Sequence, residues 1–290
     1  MTNQDITIIW NMTYGCNYNC PECFQIADKR KHPQKQIILK IIDTLTDKFN
    51  HKACVLKLTG GEIFSYPQFN EEIIPYIIKK SAFRLTATTN GSFPIDTYKY
   101  FIDQTKGRLD RISVSWHKQY VNANDFAQKM IQLRSVMNEL GMENNLLKVN
   151  LILIPDLFSE IKKIITKLKL IPQIKLHYQI FRVGKYGRKF YNYSTEDQQV
   201  IKSFIKDHSP LGYNNKRHYQ GKKCTAGMNY FVINPDGDVF TCHEAYEIGQ
   251  NGKYSLGNLV DGTFSPKSKA FYCPFEYCTV PTVALQHVVE

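Results

Sequence analysis

The sequence predicts an α/β fold: six β/α rungs of a partial barrel over residues 1–182, then a smaller α+β unit with a β-hairpin over 183–290. Three observations predict it. Strand-like and helix-like segments alternate six times before Arg182, which implies parallel strands joined by right-handed crossovers. Glycine-rich and polar motifs fall just past the strand ends, where the sites of such barrels lie. After Arg182 the alternation stops, and a hairpin flanked by cysteines follows. A doubly wound sheet is the alternative architecture.

The elements follow in order. Thr7–Asn11 is an apolar strand leading into a cysteine cluster. Gln36–Phe49 is a helix, with Ile37, Ile38, Ile41, Ile42 and Leu45 at helical spacing. Val55–Leu58 is a buried strand, and Gln68–Lys80 a helix. Arg84–Thr88, Asp110–Ser115, Leu146–Ile154 and Lys175–Phe181 read as strands. Ile95–Gln104, Asp125–Leu140 and Leu157–Leu170 read as the helices between them, with Gly141 as a C-cap. Thr195–Asp207 is a further helix. Tyr230–Thr241 is a hairpin, because two apolar runs flank Asn234-Pro235-Asp236-Gly237.

Composition excludes several classes. The 290 residues, 43% hydrophobic, can bury a full core. The N-terminus has no basic, apolar signal-peptide pattern. No apolar run is long enough to span a membrane. Eight cysteines without a secretion signal argue for metal ligation in a reducing compartment, so a cytoplasmic location is expected. The net charge is +11. Between Arg182 and Lys223, ten Lys or Arg face three acids, a surplus of seven. That segment is either a solvated basic face or a contact for an anionic substrate, with Arg182, Lys185 and Arg188 first in line.

Cys16, Cys20 and Cys23 are spaced C-x3-C-x2-C. Three thiolates can hold three irons of a [4Fe–4S] cube and leave the fourth open. A structural zinc site wants four closed ligands, and the next histidine is only His32. Spacing alone leaves both metals possible. Thr59-Gly60-Gly61-Glu62 then closes the second strand. Two glycines allow a close backbone approach, and a carboxylate there can fix an ammonium group. A second set, Cys224, Cys242, Cys273 and Cys278, surrounds the hairpin and gives four ligands, enough to close a zinc or iron–sulfur site. Cys54 starts its strand, about 16 Å from the site end, and reads as a buried structural thiol.

The triad with Gly-Gly-Glu resembles the radical S-adenosylmethionine (SAM) superfamily, and the second set resembles its twitch domain, a shortened SPASM domain with one auxiliary cluster. The implied fold is a partial (β/α)6 TIM-like barrel followed by a twitch domain. The resemblance implies two [4Fe–4S] clusters and SAM. It places SAM's amine at Gly60, Gly61 and Glu62, and further contacts at Thr89, Asn90, Ser115 and Asn150. Relatives carry an aromatic residue before the third cysteine, where this chain has Glu22; Glu22 would accept from the adenine and Phe24 would supply apolar contact. At the fourth strand, where relatives often read Ser-x-Asp-Gly, Trp116 and His117 would face the substrate cavity.

The implied reaction is SAM cleavage to a 5′-deoxyadenosyl radical, which removes a hydrogen atom from a small molecule or peptide. Net oxidation or bond formation is expected, with the auxiliary cluster as electron acceptor. A donor such as flavodoxin or ferredoxin would supply the first electron. Epimerisation is disfavoured, because every cysteine except Cys54 is assigned to a cluster. Met1 stands fifteen residues before Cys16, so no leader-peptide domain is expected, which favours a small substrate. A peptide maturase is the alternative. Another is a non-catalytic iron–sulfur or zinc module that binds nucleic acid through its basic segment.

Overall fold

Runs of β-branched and apolar residues build six parallel strands: β1 (Ile6–Asn11), β2 (Cys54–Thr59), β3 (Arg84–Thr89), β4 (Leu109–Ser115), β5 (Leu146–Leu153) and β6 (Ile174–Ile180). The computed structural model describes residues 5–21, 23, 31–183, 189–204, 219–248, 254–276, 278 and 288–289. The strands lie side by side in chain order. Between them run α1 (Lys35–Phe49), α2 (Ile74–Lys80), α3 (Ile95–Thr105), α4 (Ala123–Glu139) and α5 (Phe158–Leu168), each packed on the next. This is the expected partial TIM-like barrel.

One face of the sheet is apolar. Ile8, Trp10, Leu56, Leu58, Leu85, Ile112 and Leu147 are buried with the inward stripes of the helices. In α1 that stripe is Ile38, Ile41, Ile42, Leu45 and Phe49, and in α5 it is Phe158, Ile161, Ile164, Ile165 and Leu168. Each such side chain contributes about 1.5–3 kcal/mol by leaving water. The other face is polar, because strand residues alternate. Register aligns Asn11 with Thr59, Thr88 with Ser113, and Ser115 with Asn150 and His177 along it.

The elements match the expected ones closely, with one local difference. Gln68–Lys80 is not a uniform α-helix. It opens with a π-helical turn, Phe69–Ile73, before α2. Pro75 has no N–H to donate within the first turn of α2, and the turn ahead of it widens.

After β6 come the short β7 (Arg182–Val183) and β8 (Lys189–Phe190), α6 (Thr195–Phe204) and β9 (Lys223–Cys224). The expected hairpin is β10 (Tyr230–Ile233) and β11 (Asp238–Phe240). Its turn is held by the Asn234 side chain, which accepts from the amides of Asp236 and Asp238 at 3.0 and 2.8 Å. Then follow α7 (His243–Ile248), β12 (Ser255–Asn258), β13 (Phe271–Tyr272) and β14 (Val288–Val289). The hairpin does not stand apart from the barrel. β10 pairs parallel with β1, from Thr7 opposite Tyr230 to Trp10 opposite Ile233, so one nine-stranded sheet crosses the expected boundary at residue 182. Without β10, β1 would be an exposed apolar edge. No helix among the described residues is long and apolar enough to cross a membrane.

Candidate functional site

The loop leaving β1 and the turn leaving β2 run as one hydrogen-bonded pair. Met12 N–H donates to Thr59 C=O at 2.9 Å, Gly61 N–H to Thr13 C=O at 2.7 Å, and Glu62 N–H to Gly15 C=O at 2.8 Å. A Cβ on Gly60 would lie 2.5 Å from the Thr13 oxygen, and one on Gly61 2.0 Å from the Gly15 oxygen. Gly60 also has φ +138°. Only glycine allows this approach. The two motifs, forty residues apart in sequence, are therefore one structural unit.

Glu62 is fully buried. Its carboxylate accepts from Phe64 N–H at 3.1 Å, Thr89 Oγ1 at 2.8 Å and Asn90 N–H at 2.6 Å. Burial pushes the carboxyl up to about 7, against these three bonds, which favour the charged form. Glu62 thus pins the ends of β2 and β3 together. Asn90 extends the link, with Nδ2 donating to Asn17 Oδ1 at 2.9 Å and lying 3.9 Å from Cys16 Sγ. Tyr18 N–H donates to the same sulfur at 3.4 Å.

The fourth strand reaches the triad through His117, whose Nδ1 lies 3.3 Å from Cys20 Sγ and whose ring meets Tyr18 edge-on. Tyr18 stacks on Tyr120 with ring centroids 3.8 Å apart. Trp116 departs from expectation. It was to face the cavity, but it is buried against Phe126 in the core, and its Nε1 donates to Val121 C=O at 3.0 Å. The strand alternation that presents Ser115 and His117 inward turns Trp116 outward. Ser115 Oγ accepts from Asn150 Nδ2 at 3.2 Å. Asn150 Oδ1 is buried without a hydrogen-bond partner among the described residues, an acceptor facing the polar side of the sheet. Glu22 and Phe24 lie outside the described residues, as do Lys185 and Arg188. Asn17, Tyr18 and Tyr120 went unnoticed in the sequence, and His32 was noted only as too far along for a fourth ligand. His32 lies 2.8 Å from Thr13 Oγ1, which in turn accepts from Gly15 N–H. None of the four belongs to a spacing pattern.

The second cysteine set surrounds an apolar pocket with Ile9, Tyr230, Val232, Phe240 and Phe275. Burial raises the Cys224 thiol, with Cys273 beside it. Burial pushes Cys242 up to about 12, and Cys278 adds to it. Ala245 N–H and Thr241 Oγ1 point at Cys242 Sγ, at 3.5 and 3.9 Å. Among the described residues no three Cys, His, Asp or Glu side chains meet at a single point. A cube spreads its thiolates over separate irons. Soft sulfur ligands with N–H groups aimed at them, from Tyr18 at Cys16 and from Ala245 at Cys242, are the donor type an iron–sulfur cluster takes.

Arg182 forms an ion pair with Glu247 of α7, Nη2 to Oε1 at 3.1 Å, and both side chains are nearly buried. It ties the end of the barrel to the helix that follows Cys242. Cys54 is buried at the start of β2, as expected.

Residues 10–120 match the family model described as the Radical SAM superfamily. The antilisterial bacteriocin subtilosin biosynthesis protein AlbA of Bacillus subtilis (strain 168) is 25% identical over 304 residues, covering 93% of this chain. The chain spans 65% of the length of AlbA. Among solved structures, SuiB of Streptococcus suis bound to the precursor peptide SuiA superposes with TM-score 0.62 at 13% identity, over 91% of this chain and 65% of that one. The protein anSMEcpe with bound AdoMet and Kp18Cys peptide gives TM-score 0.59 at 18% identity, over 90% and 79%. These two show the fold. Residues 10–120, the stretch that matches this family model, hold both motifs and the strands beneath them.

Proposed function

We propose that the chain is a radical SAM enzyme with one auxiliary [4Fe–4S] cluster in a twitch-like unit, and that it oxidises or crosslinks a peptide. Cys16, Cys20 and Cys23 would hold the first cluster, with one iron left for SAM. Cys224, Cys242, Cys273 and Cys278 would hold the second. When bound, these groups supply the electron, the 5′-deoxyadenosyl radical and an acceptor for the substrate's electron. The chain's own work is to position and to exclude water. Glu62 and Asn90 fix the loop that presents the triad. Ser115 and Asn150 offer polar atoms to SAM or substrate beneath it. His117 would orient the triad from beside Cys20.

One observation carries the reading. The two cysteine sets share a single sheet through β1. The triad loop leaves its C-terminal end, and the second set packs on Ile9 and on Tyr230, the register partner of Thr7. From Thr7 to Asn11 a strand rises about 13 Å. A substrate on the polar face would lie between the two sets. A peptide is favoured over the expected small molecule because AlbA is named for a bacteriocin and SuiB was seen with a precursor peptide.

The test is anaerobic reconstitution with iron and sulfide, then SAM and dithionite. Methionine and 5′-deoxyadenosine should form, and alanine at the three triad cysteines should abolish them. Stoichiometric zinc in anaerobically purified protein, with no SAM cleavage, would overturn the assignment. Product mass then sorts the reaction: loss of two hydrogens fits oxidation or crosslinking. An unchanged mass with one deuterium taken from heavy water would mean epimerisation instead.

A further inference from the structure

The polar face of the sheet carries four cations that the cluster sites do not use, and a histidine that burial and then these charges keep neutral, its pKa lowered to about 4. Lys57 stands on β2, Arg111 on β4, Lys148 on β5, and Lys175 and His177 on β6. Register puts them on one face. Lys57 aligns with Thr86 and Thr86 with Arg111; Lys148 aligns with Lys175. In parallel strands, aligned residues point to the same side. Ser115, Asn150 and His177 form the row above, toward the triad.

Among the described residues no carboxylate forms an ion pair with these cations, although Asp110 acts on Arg111 at longer range. The segments β1 to β6 contain one acid, Asp110, and it pairs with Arg84 through Nη2 to Oδ2 at 2.7 Å. Lys57, Lys148 and Lys175 make no hydrogen bond or ion pair among the described residues, and Arg111 Nε is buried without a partner. Lys57, Arg111, Lys148 and His177 are half-buried. Burial, and then Arg111, pushes Lys57 down to about 8; burial, then Arg111, Lys57 and Lys175, does the same to Lys148. Unpaired buried cations destabilise a fold unless something neutralises them.

We propose that Lys57, Arg111 and Lys148, with the exposed Lys175 at the edge, form an oxyanion-binding site on the polar face of the barrel, below the row of Ser115, Asn150 and His177. Its ligand carries a carboxylate or a phosphate. Arg111 presents a planar fork suited to bidentate oxyanion binding, and the lysines add point charges. Lys57 is the register partner of Ile9, on which the second cysteine set packs. The site therefore lies between the triad loop and that set. An acidic group held there anchors a substrate whose reacting carbon lies higher, near the triad. The basic segment after Arg182, singled out in the sequence, is not needed for this.

The site rests on the barrel's own residues, so its test does not need turnover. Reconstituted holoenzyme is titrated by calorimetry with two probes: inorganic pyrophosphate, and a blocked Glu-Glu dipeptide. At least one should bind, and whichever binds tighter tells phosphate from carboxylate. Arg111→Met and Lys148→Met should each weaken that binding about tenfold or more, as expected for a lost charged hydrogen bond. Lys79→Met, on an exposed position of α2, should leave it unchanged. Circular dichroism and iron content of each variant separate a folding defect from a binding defect. If Arg111→Met does not fold, Lys57→Met takes its place. The proposal fails if neither probe binds the wild-type protein, or if the charge-removing variants bind as well as Lys79→Met. It fails independently of the proposed reaction if SAM cleavage persists while no probe binds.

Discussion

A lysine in the middle of a parallel strand costs stability unless its charge is met. Lys148 shows the sign of that cost. Its ammonium is ordinarily half-titrated near 10.5, and in the fold near 8, through burial and then the charges of Arg111, Lys57 and Lys175. Below about pH 8 it is charged both folded and unfolded, and the full burial penalty applies. Between about 8 and 10.5 the folded state loses its proton first, so the penalty shrinks; above 10.5 it is gone. Lys148→Met should therefore raise stability at pH 7, on the order of 1–3 kcal/mol after allowing for partial solvation. The gain over wild type should fade as pH climbs from about 8 to about 10.5. Chemical denaturation of both proteins at pH 7, 9 and 10.5 checks this, and a gain independent of pH would show that the charge is already neutralised. Burial disfavours the charged form of Glu62 too, raising its carboxyl to about 7, but here hydrogen bonds meet the charge. Its carboxylate accepts three hydrogen bonds in full burial, so Glu62→Gln sets an amide donor against Thr89 or Asn90. A loss of about 2–3 kcal/mol is expected at pH 8, read from the shift in denaturation midpoint. Residue roles of this kind were only partly legible. The cysteines and Gly-Gly-Glu were visible because spacing is a sequence property. The convergence of Lys57, Arg111 and Lys148 was not, since ninety residues separate the first from the last and only strand register brings them together. Trp116 misled because a motif position was read without the strand alternation that turns it outward.

Among the elements, the paired loops after β1 and β2 are the most demanding. Three backbone hydrogen bonds couple them, and two glycines leave no room for a Cβ. Gly61→Ala must push the Gly15 carbonyl away, because the new Cβ would lie 2.0 Å from its oxygen. The triad loop then shifts as a unit. The expected result is loss of SAM binding together with a stability loss of about 2–4 kcal/mol. Gly107→Ala is the comparison. Gly107, unlike Gly61, has a positive φ, +86°, but nothing stands within 4 Å of its Cβ position. It should cost about 1 kcal/mol and leave SAM binding intact. Equal effects from both would mean that the close approach of the two loops does not constrain Gly61. Strand and helix positions were readable from period and from caps such as Gly141, which has φ +74°. The π-helical turn before α2 was not, because it depends on how Pro75 is accommodated rather than on hydrophobic period.

At the scale of the whole molecule, the fused sheet makes the second cysteine set part of the barrel's edge. The sequence pointed to two units because its period changes at Arg182, yet parallel pairing of β10 with β1 is a long-range contact that no local pattern encodes. This fusion shapes what cysteine substitutions should do. Seven cysteines in a three-plus-four arrangement correspond to about eight irons per chain, from two cubes. Alanine at Cys16, Cys20 and Cys23 changes only a loop on the sheet's end. It should leave about four irons, retained by the closed set, and remove SAM cleavage. Alanine at Cys224 and Cys242 acts deeper, since both are buried in the pocket that packs on Ile9 and Tyr230. It should leave about four irons on the triad and preserve SAM cleavage, but lose product and lower the melting temperature. The melting shift is the readout that tests the fusion. If β10 and β1 are one sheet, destabilising the second set also exposes the edge of β1, and the protein melts in a single transition. Two separate transitions, with the barrel's unchanged, would mean that the C-terminal unit folds apart from it.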